Sequence, residues 1–403
     1  MGMSTKHHIS LTRRTFLRNT AIGVAGTGVG AVSPALWGAP AQTQPAQAKP
    51  ILPFGKLGKT KHPVTLISFG AILLQDRTST RVLKAAIDAG VNLVHTSATY
   101  NRGKSVEAVG NLFKADKTYR DKVFLCLKSL QPERLAEIDE MLTALDTDHA
   151  DLVLTEMHNA DPRRLEAIQK QMDELRKRKK TRFAGFVCHK DMNDVIEMVL
   201  DKAPDFFDAS LLAMTMVPDP KRSDAANEQS LRFLKNLKAL RAKGVGILSM
   251  KSGAKAAVKQ GEAVFLPHAK SILEAGADTV LTSMDAFEQV EMVRKLDLKS
   301  PHLKPDERER AEAFQHGRAH ACLMCDACTK ACPQAMPISD LMRFRMYATE
   351  YGIPAHARAE YAATGIDFPR LAMQCGPCDR CTNACPVGLA APAVIRDTLR
   401  LLA

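Results

Sequence analysis

The chain has 403 residues, 45% of them apolar and 25% charged, with a formal net charge of +12 and ten cysteines. This composition excludes a disordered or fibrous protein, and the length allows one large domain plus a small one. The basic balance calls for no nucleic-acid partner, because Lys6, Arg13, Arg14 and Arg18 stand in the first 48 residues with no acid among them.

The N-terminus, "LTRRTFLRNTAIGVAGTGVGAVSPALWGAPAQ", sets Arg13-Arg14 and Phe16-Leu17 before an Ala/Gly-rich apolar stretch, the form of a twin-arginine export signal. The stretch from Ala21 to Trp37 is short and weakly apolar for a membrane anchor, which needs about 20 apolar residues. Cleavage after Ala41 or after Ala48 satisfies the small-x-small rule. The expected destination is the periplasm, and residues 1–48 read as signal and linker.

Apolar strand-like runs then alternate with helical patterns. They begin at Val64, Asn92, Val123, Asp151, Phe183, Phe206, Gly244 and Ala277, and helices such as "STRVLKAAIDAG" (Ser79 to Gly90) lie between them. Eight βα units predict an α/β fold, a (β/α)8 TIM barrel over residues 52–300 with its site at the strand C-termini. Cys126 and Cys188 fall inside strands and read as small buried hydrophobes. The run "RKRKK" (Arg176 to Lys180) closes a helix beginning near Asp161, where cations complement the dipole, and reads as a solvated face.

"AIDAGVNLVHTSATYNRGKSVEAVG" (Ala86 to Gly110), "KTRFAGFVCH", "RAKGVGILSMK" and "ADTVLTSMDAFEQVE" together resemble the aldo-keto reductase family over about residues 54 to 300. The resemblance implies Tyr100 as proton donor and Lys128 as the lysine that lowers its pKa. It puts His95 where the family has the aspartate that holds the lysine, so His95 must either hold Lys128 as a neutral acceptor or leave it mobile. The family's strand-four histidine falls on Glu156 when counted without a gap and on His158 with a two-residue bulge. A glutamate there is what the branch reducing conjugated steroid ketones uses. The resemblance also implies NADP(H), with Lys251, Ser283 and Gln289 near its phosphates and His189 at the end of strand five. The basic residue for the 2′-phosphate is not evident, and Ser249 and Met250 replace the stacking tyrosine.

The last hundred residues carry C-x2-C-x2-C-x3-C-P twice, in "ACLMCDACTKACP" and "QCGPCDRCTNACP". Three cysteines of such a run bind one 4Fe-4S cluster and the fourth reaches to the other. Cys322, Cys325, Cys328 and Cys385 are therefore assigned to one cluster, and Cys375, Cys378, Cys381 and Cys332 to the second. Zinc does not call for three equal two-residue gaps followed by Cys-Pro, and disulfide frameworks rarely place cysteines every third residue. Residues 301–403 read as a small, mainly helical ferredoxin-like domain, with "ISDLMRFRMYATEYG" (Ile338 to Gly352) as a helix.

The leading expectation is an exported oxidoreductase acting on a small carbonyl or conjugated enone compound. Its two clusters exchange electrons with a redox partner protein or a membrane electron-transfer chain. The competing expectation is an electron-transfer or binding subunit whose barrel has lost catalysis.

Overall fold

Strand-forming runs flanked by glycine and polar turns place eight parallel strands in a closed ring in the computed structural model, which describes residues 52–403 apart from 217, 220, 319, 376 and 377. The strands are β1 (Ile67–Gly70), β2 (Leu93–Ser97), β3 (Phe124–Ser129), β4 (Ala150–Met157), β5 (Thr181–Cys188), β6 (Ala209–Ala213), β7 (Gly246–Met250) and β8 (Thr279–Thr282), with β8 paired to β1. The predicted TIM barrel is present, with all eight runs in the expected order. The N-terminal export segment lies outside the described residues.

One boundary differs from the sequence reading. The run from Val64 is not continuous: Pro63–Thr65 pairs antiparallel with Phe54–Lys56 and only Ile67–Gly70 joins the barrel. The hairpin seals the N-terminal end of the ring, where Leu57 is fully buried. Gly246 makes room for it, since a Cβ there would stand 2.6 Å from the Leu57 side chain. Asp151 ties the same end together, accepting from the Leu125 amide at 2.9 Å and pairing with Arg182 at 2.8 Å.

Register determines what reaches the other end. Ser97 pairs with Lys128, Lys128 with Leu154, and Glu156 with Val187. Paired residues share a face and alternate residues repeat it, so His95, Lys128, Glu156 and His189 belong to one set pointing into the C-terminal mouth. Cys126 and Cys188 are fully buried. The helix carrying the basic run is Pro162–Lys177, capped by Asp161, whose side chain accepts from the Arg163 amide.

Beyond the barrel, α1 (Pro305–His316) packs against the helix Glu262–Glu274 through a buried Lys270–Glu307 pair at 2.8 Å. Then follow α2 (Ile338–Thr349), α3 (Pro354–Ala363) and α4 (Ala391–Leu402), with short turns of helix at Ala327–Ala331, Phe368–Met373 and Arg380–Asn383. These described elements and the barrel belong to one compact unit. The segment is seated on the loops after β5 to β7: Lys190 pairs with Asp340 at 2.6 Å, Lys330 with Asp194 at 2.8 Å, and Thr215 donates to the Leu323 carbonyl at 2.7 Å. It therefore covers the barrel mouth.

Candidate active site and cluster sites

The cysteines fall into two groups. Cys322, Cys325, Cys328 and Cys385 line one cavity together with Leu323, Ile338, Met342 and Leu389. In the second group, burial and then the neighbouring Cys332 and Cys378 raise the Cys375 thiol, and Cys381 is raised by burial with Cys375 and Cys332 beside it. Among the described residues no three His, Cys, Asp or Glu side chains converge tightly enough for a single ion. Thiols ringing a cavity suit the wider cage of an iron-sulfur cluster, with four ligands each. The clusters supply one-electron transfer when bound. We expect about eight irons in anaerobically purified protein and broad absorption near 400 nm, in line with two 4Fe-4S units. Cys332→Ser should lose the cluster built on the second run and leave about four irons. Loss of the first-run cluster instead would reverse the crossing.

At the mouth, Tyr100 follows β2 and is buried, its ring 5.7 Å from His95 with the planes nearly perpendicular. Lys128 ends β3 with its Nζ 5.5 Å from the Tyr100 ring centre. Its partner is not His95. Lys128 Nζ donates to Glu156 Oε2 at 3.3 Å, so the carboxylate comes from β4 where the family draws it from β2. Both ring nitrogens of His95 lack a protein partner, and burial, then the Lys128 and Lys251 charges, press its pKa down to about 3. His95 is a neutral wall, and Lys128 is anchored.

Glu156 is the hub of the site. Besides Lys128, its carboxylate faces His158 Nδ1 at 3.4 Å and His189 Nε2 at 3.6 Å. Burial opposes its charge, but these neighbours, Lys128 foremost, hold it well below the ordinary range. Of the two strand-four alternatives, Glu156 points into the mouth, while His158 lies at the rim with its side chain 50% exposed.

This arrangement corrects the expectation that Lys128 makes Tyr100 a stronger acid. Burial first, then Tyr347 and the carboxylates Glu360 and Glu156, hold the Tyr100 phenol well above its usual value. The lysine's charge is already matched by Glu156, so the net field at the phenol is set by burial and carboxylates. Tyr100 stays protonated and can donate, but it does not ionise readily.

The cluster segment supplies groups that the sequence reading did not assign to the site. Lys251, just past β7 in a left-handed turn (φ 53°), donates from Nζ to Tyr347 Oη at 2.9 Å and lies 3.0 Å from His189 Nδ1. Burial, then Arg343 and Lys128, push Lys251 well below the lysine range. Arg343 bridges Asp340 and Glu360, each at 3.1 Å. His356 on α3 packs edge-on against Tyr100 at 6.0 Å. The signal was in "DLMRFRMY": Asp340, Arg343 and Tyr347 stand three and four residues apart, which puts a polar stripe on one helix face.

The comparisons with known proteins follow the same division. The aldo/keto reductase family profile matches residues 67–263. Those residues form an aldo/keto reductase domain. The 4Fe-4S dicluster domain profile matches residues 304–389. Among solved structures, the holo form of an aldo-keto reductase from Bacillus halodurans aligns at TM-score 0.52 and 16% identity, covering 65% of this chain and 96% of that one. An aldo/keto reductase from Klebsiella pneumoniae in complex with NADP and acetate aligns at TM-score 0.49 and 16% identity, covering 66% and 96%. At that identity the likeness to the Bacillus halodurans structure is one of fold. No curated protein matches the sequence.

With α2 seated, the space beside Tyr100 is small. The space bordered by His95, Tyr100, Ser283, Tyr347 and Tyr351 is about 30 Å³, room for a water or two. The expected phosphate groups are also engaged: Gln289 Nε2 donates to Asp285 Oδ1 at 2.8 Å, and Asp285 pairs with Lys255 at 2.7 Å. An aspartate at that turn opposes a phosphate. Ser283 is buried against the small cavity, and Lys251 is committed to Tyr347 and His189.

Proposed function

We propose that this aldo/keto reductase-type oxidoreductase reduces a small carbonyl or conjugated enone compound with electrons delivered singly by a redox partner through the cluster segment. The observation carrying this reading is α2 itself. Its first turns line the cavity of the first cluster through Ile338 and Met342, and its last turn hydrogen-bonds Lys251 through Tyr347. One helix thus joins the electron-accepting side to the proton-donating side. Tyr100 is the acid, Glu156 and Lys128 fix the polarity around it, and His189 with Lys251 links Glu156 to Tyr347.

The test is reduction of a carbonyl panel by iron-loaded protein with reduced viologen and no nicotinamide. Turnover that disappears in Cys322→Ser supports the reading. Turnover that needs NADPH and survives Cys322→Ser would sink it. The closed 30 Å³ space favours a second reading, an electron-transfer subunit with a retired barrel. In that case reduced viologen is oxidised by a partner protein and by no carbonyl compound.

We also propose export by the twin-arginine route, on the strength of Arg13-Arg14 and Phe16-Leu17 ahead of the apolar stretch. Replacing both arginines by lysine keeps the charge and removes the address, so precursor should accumulate in the cytoplasm. Undiminished periplasmic protein would point to another route.

A further inference from the structure

Between the aldo/keto reductase barrel and the cluster segment lies a cavity of about 310 Å³, the size of a small-molecule site and ten times the space at Tyr100. Its position is specific. Cys322 lines both this cavity and that of the first cluster, while Lys251 lines both this cavity and the small space at the mouth. A molecule held here touches a cluster ligand on one side and the barrel's proton-handling group on the other.

The lining chemistry narrows the occupant. Three guanidinium groups, Arg222, Arg318 and Arg345, face the cavity against the carboxylates Asp219 and Glu350, and Lys251, held below the lysine range by burial, is left out of that balance. Glu350 is held by Arg318 at 3.1 Å and Asp219 by His316 at 2.8 Å, whereas Arg345 has no carboxylate partner among the described residues. The cations therefore outnumber the acids, which suits an anion, and a guanidinium takes a carboxylate or phosphate with two parallel hydrogen bonds. Much of the remaining wall is methionine, Met214, Met324, Met342 and Met346, an adaptable surface for a carbon skeleton. Three buried polar atoms of the lining residues have no partner, Ser252 Oγ, His268 Nδ1 and the carboxylate oxygen Asp219 Oδ2. His268 Nε2 lies 3.0 Å from the Ser252 carbonyl, so it carries the proton and leaves Nδ1 as an acceptor. The serine hydroxyl can donate to a ligand oxygen and the imidazole can accept from a hydroxyl.

We propose that this cavity is the substrate site and that the substrate is a carbonyl compound bearing an anionic group, with the anion on Arg345 and Arg318 and the carbonyl directed past Lys251, which borders both spaces, toward Tyr100. The proposal rests on the reductase reading above and names its substrate class. Converting R–CO–R′ to R–CHOH–R′ consumes two electrons and two protons. A one-electron donor of the viologen class supplies the electrons in two steps, and Tyr100 delivers the protons, each replaced from water by way of the Lys251 side.

The test uses iron-loaded full-length protein and calorimetric binding of aliphatic and aromatic 2-oxo carboxylates, each beside the neutral methyl ketone of the same skeleton. At least one carboxylate should bind tenfold or more tightly than its neutral match. Arg345→Ala should weaken it about tenfold and Arg345→Lys should restore part of the loss, with iron content unchanged. Binding of no carboxylate, equal binding of the neutral ketone, or unchanged affinity in Arg345→Ala would each overturn the assignment. Binding that obeys these rules without viologen-driven turnover leaves the site standing and removes the reductase reading. Turnover that is indifferent to Arg345→Ala does the opposite.

Discussion

Tyr100→Phe should lower carbonyl turnover by about 10²-fold or more, the usual cost of losing a positioned general acid. The substitution removes one hydroxyl from a ring packed between His95 and His356. The space beside it already has room for a water, so folding and iron content should not change. Because Tyr100 is held well above its ordinary pKa by burial and the nearby carboxylates, its protonated form persists across the neutral range. The wild-type rate should therefore show no falling limb near pH 10 from this group. Wild-type turnover in the variant would retire Tyr100 as the acid.

Glu156→Gln should destabilise the protein by about 3–5 kcal/mol, because it leaves the Lys128 ammonium buried and uncompensated. Lys128 has little freedom to escape to water, since its side chain is 2% exposed. The pH dependence carries the sign. Glu156 has a depressed folded-state pKa, Lys128 and His189 outweighing the opposing effect of burial. Its contribution is present above the ordinary carboxylate range and is lost as pH falls through the folded value. The gap between wild type and variant in denaturant midpoint should be full at neutral pH and close in acid. Adding Lys128→Met to Glu156→Gln should recover much of the loss, because an uncharged pair needs no counter-charge. A double variant as unstable as the two single losses summed would show that the pair is not coupled.

The eight strands were readable because each is an unbroken apolar run, and the cluster cysteines because their spacing is itself the ligand geometry. The hairpin at Pro63–Thr65 was missed because Val64 and Thr65 are as strand-like as β1, and only the bend at Leu66 separates them. The transposition of the lysine's partner was not legible from β2 alone. Motif matching compares position with position along the chain, whereas the carboxylate reaches Lys128 from the adjacent strand through sheet register. Tyr347, Arg343 and His356 escaped for a related reason. The polar stripe on α2 marks a face of the helix but not what that face meets, and its place over the barrel mouth follows only from the seating pairs Lys190–Asp340 and Lys330–Asp194.

The double duty of α2 also ties the two halves of the molecule together mechanically. Ile338, Ser339 and Met342 line the first cluster's cavity. Tyr347, two turns on, completes the bonding of Lys251 in the barrel. A change at the first cluster site that displaced this helix would break the Lys251 bond, so damage at the cysteines would reach the barrel mouth as a fault in one helix.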